Sequence, residues 1–231
     1  MEKIVELSDI EISREKMDRY NLAITHNSDK NTHTVYTYLL ERLQVDQEKD
    51  ANYIPEQEYS IKLNTYSVKT FENYLEQHNY RIEYDTVLKI LQEYANIIQY
   101  LERLNKSVVL YGLDDLIVID DESFVFINNE NIFSHHSKNP KRIDISVPLE
   151  ITKFSSPELQ QQESLPFTLD YRSGLFSLAS ILTYCLFAET LLDKDDKQVK
   201  ILLEPIVNTK LYWFILRCAE RNIKKRVCLF V

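Results

Sequence analysis

His135-His136, the acidic run Asp120-Asp121-Glu122 and the three cysteines Cys185, Cys218 and Cys228 are the side chains whose types could bind a metal or act as nucleophiles. Their spacing speaks against both roles. No cysteine or carboxylate stands at ligand spacing from the histidines, which read as a solvated pair in a polar loop. The acidic run separates two β-like stretches and reads as a hairpin turn, not a metal cluster. The cysteines are odd in number, form no C-x-x-C pair and lie in apolar helical stretches, as reduced thiols of a reducing compartment do. Cys228-Leu229-Phe230-Val231 has the form of a lipidation box, but an apolar last turn packed on the protein explains it more simply.

Glycine occurs only twice, at Gly112 and Gly174, in 231 residues, so no Gly-rich phosphate loop can be built. A net charge of -9 argues against a nucleic-acid binder, which needs basic stripes to displace counterions from phosphates. The apolar fraction of 44% is enough for one sizeable core. The charged start, Met1-Glu2-Lys3-Ile4-Val5-Glu6, lacks the apolar run of a secretory signal, and Leu175 to Phe187 is too short to span a bilayer. The expectation is a soluble, intracellular protein without a membrane partner. Its richness in Asn, Ile, Tyr and Lys hints at an A/T-rich genome.

The elements that would position any chemistry follow from periodicity. Leu22-Ala23-Ile24-Thr25 and Tyr59-Ser60-Ile61-Lys62-Leu63 read as strands. Between them Val35 to Leu43 has helical spacing, with Asn31, Thr32 and Thr34 as candidate caps, and Asp46 to Gln57 reads as a loop. From Asp85 an amphipathic helix places Val87, Leu88, Ile90, Leu91, Tyr94, Ile97, Ile98, Leu101 and Leu104 on one core face. Leu116 to Ile119 and Phe124 to Ile127 form a hairpin, and Asn128 to Pro148 reads as a long polar loop. Ser156-Pro157-Glu158, the apolar helix Leu175 to Phe187 and closing helices around Leu211 to Leu216 complete the order. The fold class is α+β.

This order resembles the C-lobe of eukaryotic-type protein kinases. Ser156-Pro157-Glu158 is similar to that family's Ala-Pro-Glu. Ser173-Gly174-Leu175-Phe176-Ser177-Leu178-Ala179 looks like its Ser-Asp-x-[Trp/Tyr]-Ser-[Leu/Phe]-Gly stretch, and Cys218 to Arg226 resembles its Cys-Leu-x-x-Asp-Pro-x-x-Arg ending. Asn208-Thr209-Lys210-Leu211-Tyr212-Trp213-Phe214 is similar to kinase-like proteins of large DNA viruses. The resemblance implies a two-lobed fold, with a reduced β-rich N-lobe over residues 1–70 and a mainly helical C-lobe over residues 71–231. It also implies a buried ion pair between Glu158 and Arg226.

Phosphoryl transfer needs a lysine on the phosphates, an Asp base, and an Asn and an Asp to hold magnesium. In the register of the resemblance Thr25 replaces the lysine, Leu113 replaces the base and Asn128 replaces the metal-binding Asp. Glu41, the candidate partner for such a lysine, then reads as a solvated helical charge. Asp114 and Asp115 are the carboxylates near the shortened catalytic loop and the only candidates for a displaced base. The leading expectation is a pseudokinase, a protein-binding or scaffold module with no required cofactor and at most weak, metal-independent ATP binding. A weak or atypical kinase using Asp114 or Asp115 is the second reading. A structural or host-interaction protein that inherited the fold is the third.

Overall fold

A computed structural model describes residues 2–6, 9–16, 18–25, 31–44, 51–54 and 58–228. Met1 and the Leu229-Phe230-Val231 end of the lipidation box lie outside the described residues. The described residues form an α+β protein in which every strand pairing is antiparallel. By contacts the chain divides into two units, Met1–Gln77 with Leu113–Glu130, and His78–Gly112 with Asn131–Val231. Each is therefore built from two separate stretches of chain.

The first unit opens with β1 (Glu2–Glu6), β2 (Ile10–Lys16) and β3 (Arg19–Thr25), followed by α1 (Thr32–Leu43), β4 (Ala51–Ile54), β5 (Glu58–Asn64), β6 (Val68–Thr70) and α2 (Phe71–Gln77). Its larger sheet has the order β1-β2-β3-β5-β4. Strict alternation on β3 buries Tyr20, Leu22 and Ile24 on one face, and Tyr59, Ile61 and Leu63 do the same on β5. Against that face α1 sets Val35, Tyr36 and Leu39, with the Tyr36 and Tyr59 rings stacked at 4.3 Å. The α1 N-cap is Asn31, whose side chain makes no capping bond. The loop expected over Asp46 to Gln57 is corrected in its centre. Ala51–Ile54 pairs with β5 as an edge strand, because the β5 backbone leaves a ladder of donors and acceptors to be satisfied. Residues 46–50 and 55–57 lie outside the described residues.

Two further strands arise where the chain returns to this unit. α3 (Tyr84–Arg103) and β7 (Lys106–Val108) belong to the second unit, after which β8 (Leu116–Ile119) and β9 (Ser123–Phe126) join β6 in a sheet of order β6-β8-β9. Asp120, Asp121 and Glu122 form the turn, the first two with left-handed φ of 54° and 58°, and Glu122 N donates to Ile119 O at 3.1 Å to close it. The Asp120 carboxylate accepts from Tyr66 N at 3.1 Å, from Ser67 N at 3.0 Å and from the Thr65 hydroxyl. One side chain thus ties the turn to the chain entering β6. Asp120→Ala removes three acceptor contacts and strains a positive φ, and is expected to cost about 2 kcal/mol in urea denaturation, with Asp120→Asn losing less.

The second unit continues with β10 (Ile132–Ser134), β11 (Arg142–Ile145), α4 (Pro157–Gln160), β12 (Phe167–Asp170), α5 (Ser173–Phe187), α6 (Asp196–Leu202) and α7 (Lys210–Cys218). Asn128 to Pro148 is therefore not one long loop. β10 pairs with β7, and β11 pairs with β12, which lies beyond α4 in sequence. Ile143 and Ile145 alternate inward from β11 onto Val109, Leu110, Leu159 and Leu169. Burying each such side chain stabilises by about 1.5–3 kcal/mol.

α5 is apolar on all sides and buried along most of its length, as a helix through a core must be. Its polar residues bond internally. Ser177 Oγ accepts from Tyr111 N at 2.8 Å, Ser180 Oγ accepts from Leu191 N at 3.3 Å, and Thr183 Oγ1 donates to Ala179 O at 2.8 Å. No helix among the described residues is long and apolar enough to cross a membrane. On α3 the expected core face holds for Val87, Ile90, Tyr94, Ile97 and Leu101, but Leu88 and Leu104 are exposed. They lie at the rim of a stripe that 3.6-residue periodicity makes wider than the surface available to cover it.

Candidate functional site

The five residues singled out around lost or displaced chemistry, Thr25, Leu113, Asp114, Asp115 and Asn128, all belong to the first unit. Leu113–Asp115 form one 3-10 turn ahead of β8, and Asn128 follows β9, so the β8–β9 hairpin brings both ends together. Asp115 is fully buried, whereas Asp114 on the same turn is exposed. Asn128 Nδ2 donates to Asp115 Oδ1 at 2.8 Å, and Ile127 N donates to Asp115 O at 2.8 Å. The other end of the Asn128 amide is also used, since its Oδ1 accepts from Glu130 N at 2.9 Å.

A buried carboxylate without hydrogen bonds would be costly, and the Asn128 amide offsets that cost. The carbonyl oxygen that could serve a hard cation already receives a backbone donor. Asp115 is thus sequestered from solvent, and Asp114 is the carboxylate of the turn that a solute can reach.

Sequence reasoning missed the neighbours of this cluster. Asn129, only 3% exposed, donates from Nδ2 to Asp9 Oδ2 at 3.3 Å, while Thr25 N donates to Asp9 O at 2.8 Å. Asp9 therefore links the end of β3 to the segment after β9, across 120 positions of sequence. Nothing local marks it, because Asp9 stands alone between two strands. Among the described residues no group of three or more His, Cys, Asp or Glu side chains is disposed to hold a metal ion.

In the second unit the histidine pair is less solvated than its polar surroundings suggested. One ring nitrogen of His135, Nε2, lies 2.7 Å from Ser107 Oγ, and the ring packs 5.6 Å from that of Tyr171. Burial lowers the His135 pKa, with the Glu102 carboxylate opposing. The neighbouring ring is tied differently: His136 Nδ1 accepts from Lys138 N at 3.1 Å. β10 pairing with β7 draws His135 inward, a long-range contact invisible in the loop-like sequence.

Glu158 and Arg226 also lie in the second unit. Ser156 caps α4 through its Oγ, which accepts from Leu159 N at 3.4 Å, and Pro157 takes the first helical position, where no N–H is needed. This sets Glu158 in the first turn. The Arg226 guanidinium, with a side chain fully buried, meets the Glu158 carboxylate with both terminal nitrogens, one of them at 2.9 Å. Arg226 Nε donates to Glu220 O at 2.7 Å, and the guanidinium lies 5.1 Å from the Phe176 ring centre. The pair joins α4 to the segment after α7 and to α5.

No family model matches the chain, and no curated protein matches it.

Proposed function

We propose that the chain is a catalytically impaired protein-kinase-like protein, a pseudokinase with a two-lobed fold that works as a protein-binding or scaffold module. The observation that carries this reading is the engagement of Asn128 with Asp115 and with the Glu130 amide. In the register of the kinase resemblance Asn128 takes the metal-binding position, and its oxygen is already accepting while the carboxylate beside it is buried. Thr25 at the lysine position and Leu113 at the base position support the same reading, since neither side chain carries a charge for phosphates or accepts a proton from a hydroxyl. The Glu158–Arg226 pair fits the anchoring that the resemblance implies. The reading needs no resident cofactor.

Thermal unfolding with ATP alone and with ATP plus magnesium tests it. Because ligand stabilisation follows the logarithm of concentration over Kd, ATP at about 100 times its Kd would add about 2.7 kcal/mol. The expected result is no added stabilisation from magnesium. A magnesium-dependent rise overturns the proposal. The exposure of Asp114 favours the second reading, a weak phosphotransferase, and transfer of labelled phosphate abolished by Asp114→Asn would establish that reading in its place.

A further inference from the structure

α7 ends at Cys218, and the chain then turns back on itself. The Ala219 amide closes the helix by donating to Ile215 O at 2.8 Å. Asn222 caps a single 3-10 turn, Ile223–Lys225, its side-chain oxygen accepting from Lys224 N at 3.0 Å. Arg226 fixes the return, because its Nε donates to Glu220 O at 2.7 Å while a terminal nitrogen donates to Glu158 at 2.9 Å. The next residue comes back against the helix end, so that Cys218 Sγ lies 3.9 Å from Val227 O. Cys228 follows directly, and its side chain hydrogen-bonds with that of Cys218. Two thiols from opposite ends of the turn-back thus meet.

The three cysteines differ in what can reach them. Cys185 is fully enclosed in α5, where desolvation pushes its thiol far up, as befits an inert core residue. Cys218 is also buried, whereas Cys228 is partly exposed and both are free thiols in this structure. The hydrogen bond to Cys228, and then burial, raise the Cys218 thiol pKa, with the Arg226 and Arg217 charges opposing. Capping the Cys228 sulfur removes the first of these influences and leaves the two arginines, which favour the Cys218 thiolate. The exposed thiol therefore meets a reagent first, and the buried one stands behind it to resolve the product.

We propose that Cys218 and Cys228 form a redox-active dithiol that small-molecule disulfides oxidise to an intramolecular bridge. The Cys228 thiolate attacks one sulfur of RS–SR, forming Cys228–S–S–R and releasing RS⁻. The Cys218 thiolate then attacks Cys228 Sγ, forming the Cys218–Cys228 bond and releasing the second RS⁻. The two thiol protons end on the two RS⁻ groups through water, so the dithiol loses two electrons and the reagent leaves as two RSH. The bridge closes the segment that carries Arg226 onto the end of α7. The proposal goes beyond the pseudokinase reading and does not depend on it.

The experiment takes the full chain, reduced and freed of reductant, at low protein concentration with uncharged 2-hydroxyethyl disulfide. Intact mass, peptide mapping without reduction and thermal unfolding read the outcome. The expected result is a loss of two hydrogens with no reagent mass added, and a linked pair of peptides holding Cys218 and Cys228. The melting temperature should rise by about 5 °C, because a cross-link that fits the native fold restricts chiefly the unfolded chain, and dithiothreitol should reverse the rise. Cys218→Ser should stop the reaction at the mixed disulfide on Cys228. Cys228→Ser, at the partly exposed position, keeps the fold and should leave Cys218 unmodified. A mixed disulfide that persists on Cys228 of the unaltered chain overturns the proposal, as does a disulfide-linked dimer, a bridge to Cys185 or no reaction. So does a bridge that lowers the melting temperature, or reaction of Cys218 in the Cys228→Ser protein.

Discussion

Glu158→Ala is expected to destabilise the protein by roughly 3–5 kcal/mol, the penalty for leaving a buried charge without its partner. The asymmetry of burial decides the size. Arg226 is fully enclosed and Glu158 is 23% exposed, so removing the carboxylate strands a guanidinium that cannot turn to solvent. Its remaining acceptors, the carbonyls of Glu220 and Arg172, carry only partial charge. At about 2–4 °C per kcal/mol for a chain of this size, the melting temperature should fall by about 10 °C. Urea denaturation is the suitable measurement, since guanidinium salts would screen the charge under study. Replacing both partners, as in Glu158→Leu with Arg226→Met, should recover more than half of the loss, because an apolar pair leaves no stranded charge. A loss below about 1 kcal/mol for Glu158→Ala would place the pair among weak surface bridges.

Gly174→Ala is expected to cost about 3 kcal/mol, although alanine is the better helix former by about 1 kcal/mol. Gly174 is in the first turn of α5, where a Cβ would fall far inside contact distance of the Val108 carbonyl oxygen and 3.2 Å from its carbonyl carbon. Both are backbone atoms of β7, so no side chain can rotate away to relieve the clash. Either α5 or β7 must move, and each carries core contacts and hydrogen bonds, among them Ser177 with Tyr111. Chemical denaturation of Gly174→Ala measures the cost. A stability equal to or above that of the parent would show that β7 yields easily.

Gly174 is thus needed for close approach, not for backbone freedom. Neither glycine has positive φ, and the left-handed positions are taken by residues such as Asp18, Asn79, Asn105, Asp120 and Asn208. Asp and Asn tolerate that region better than other side chains, so a glycine-poor chain can still make tight turns.

The signals legible in the order of amino acids are local. The 3.6-residue repeat marked α3, the alternation on Leu22 to Thr25 and Tyr59 to Leu63 marked β3 and β5, and two β-like runs around Asp120-Asp121 marked the β8–β9 hairpin. Each signal lies within one element and its turn. Through the resemblance, the motif letters around Ser156-Pro157-Glu158 and Arg226 implied a buried ion pair, whereas its bidentate geometry comes from packing.

The pairings between distant stretches come from packing of the folded chain. β11 finds β12 across an intervening helix, and Ala51–Ile54 becomes a strand because β5 offers an edge. His135 is drawn inward by β10, and Asp9 joins Thr25 to Asn129. Asp115 and Asn128, read separately as a candidate base and a poor metal ligand, become partners in one buried hydrogen bond. The physical reason is common to all of these. Periodicity reports which side of an element faces a core, whereas the identity of the group it meets depends on loop closure and packing over tens of residues.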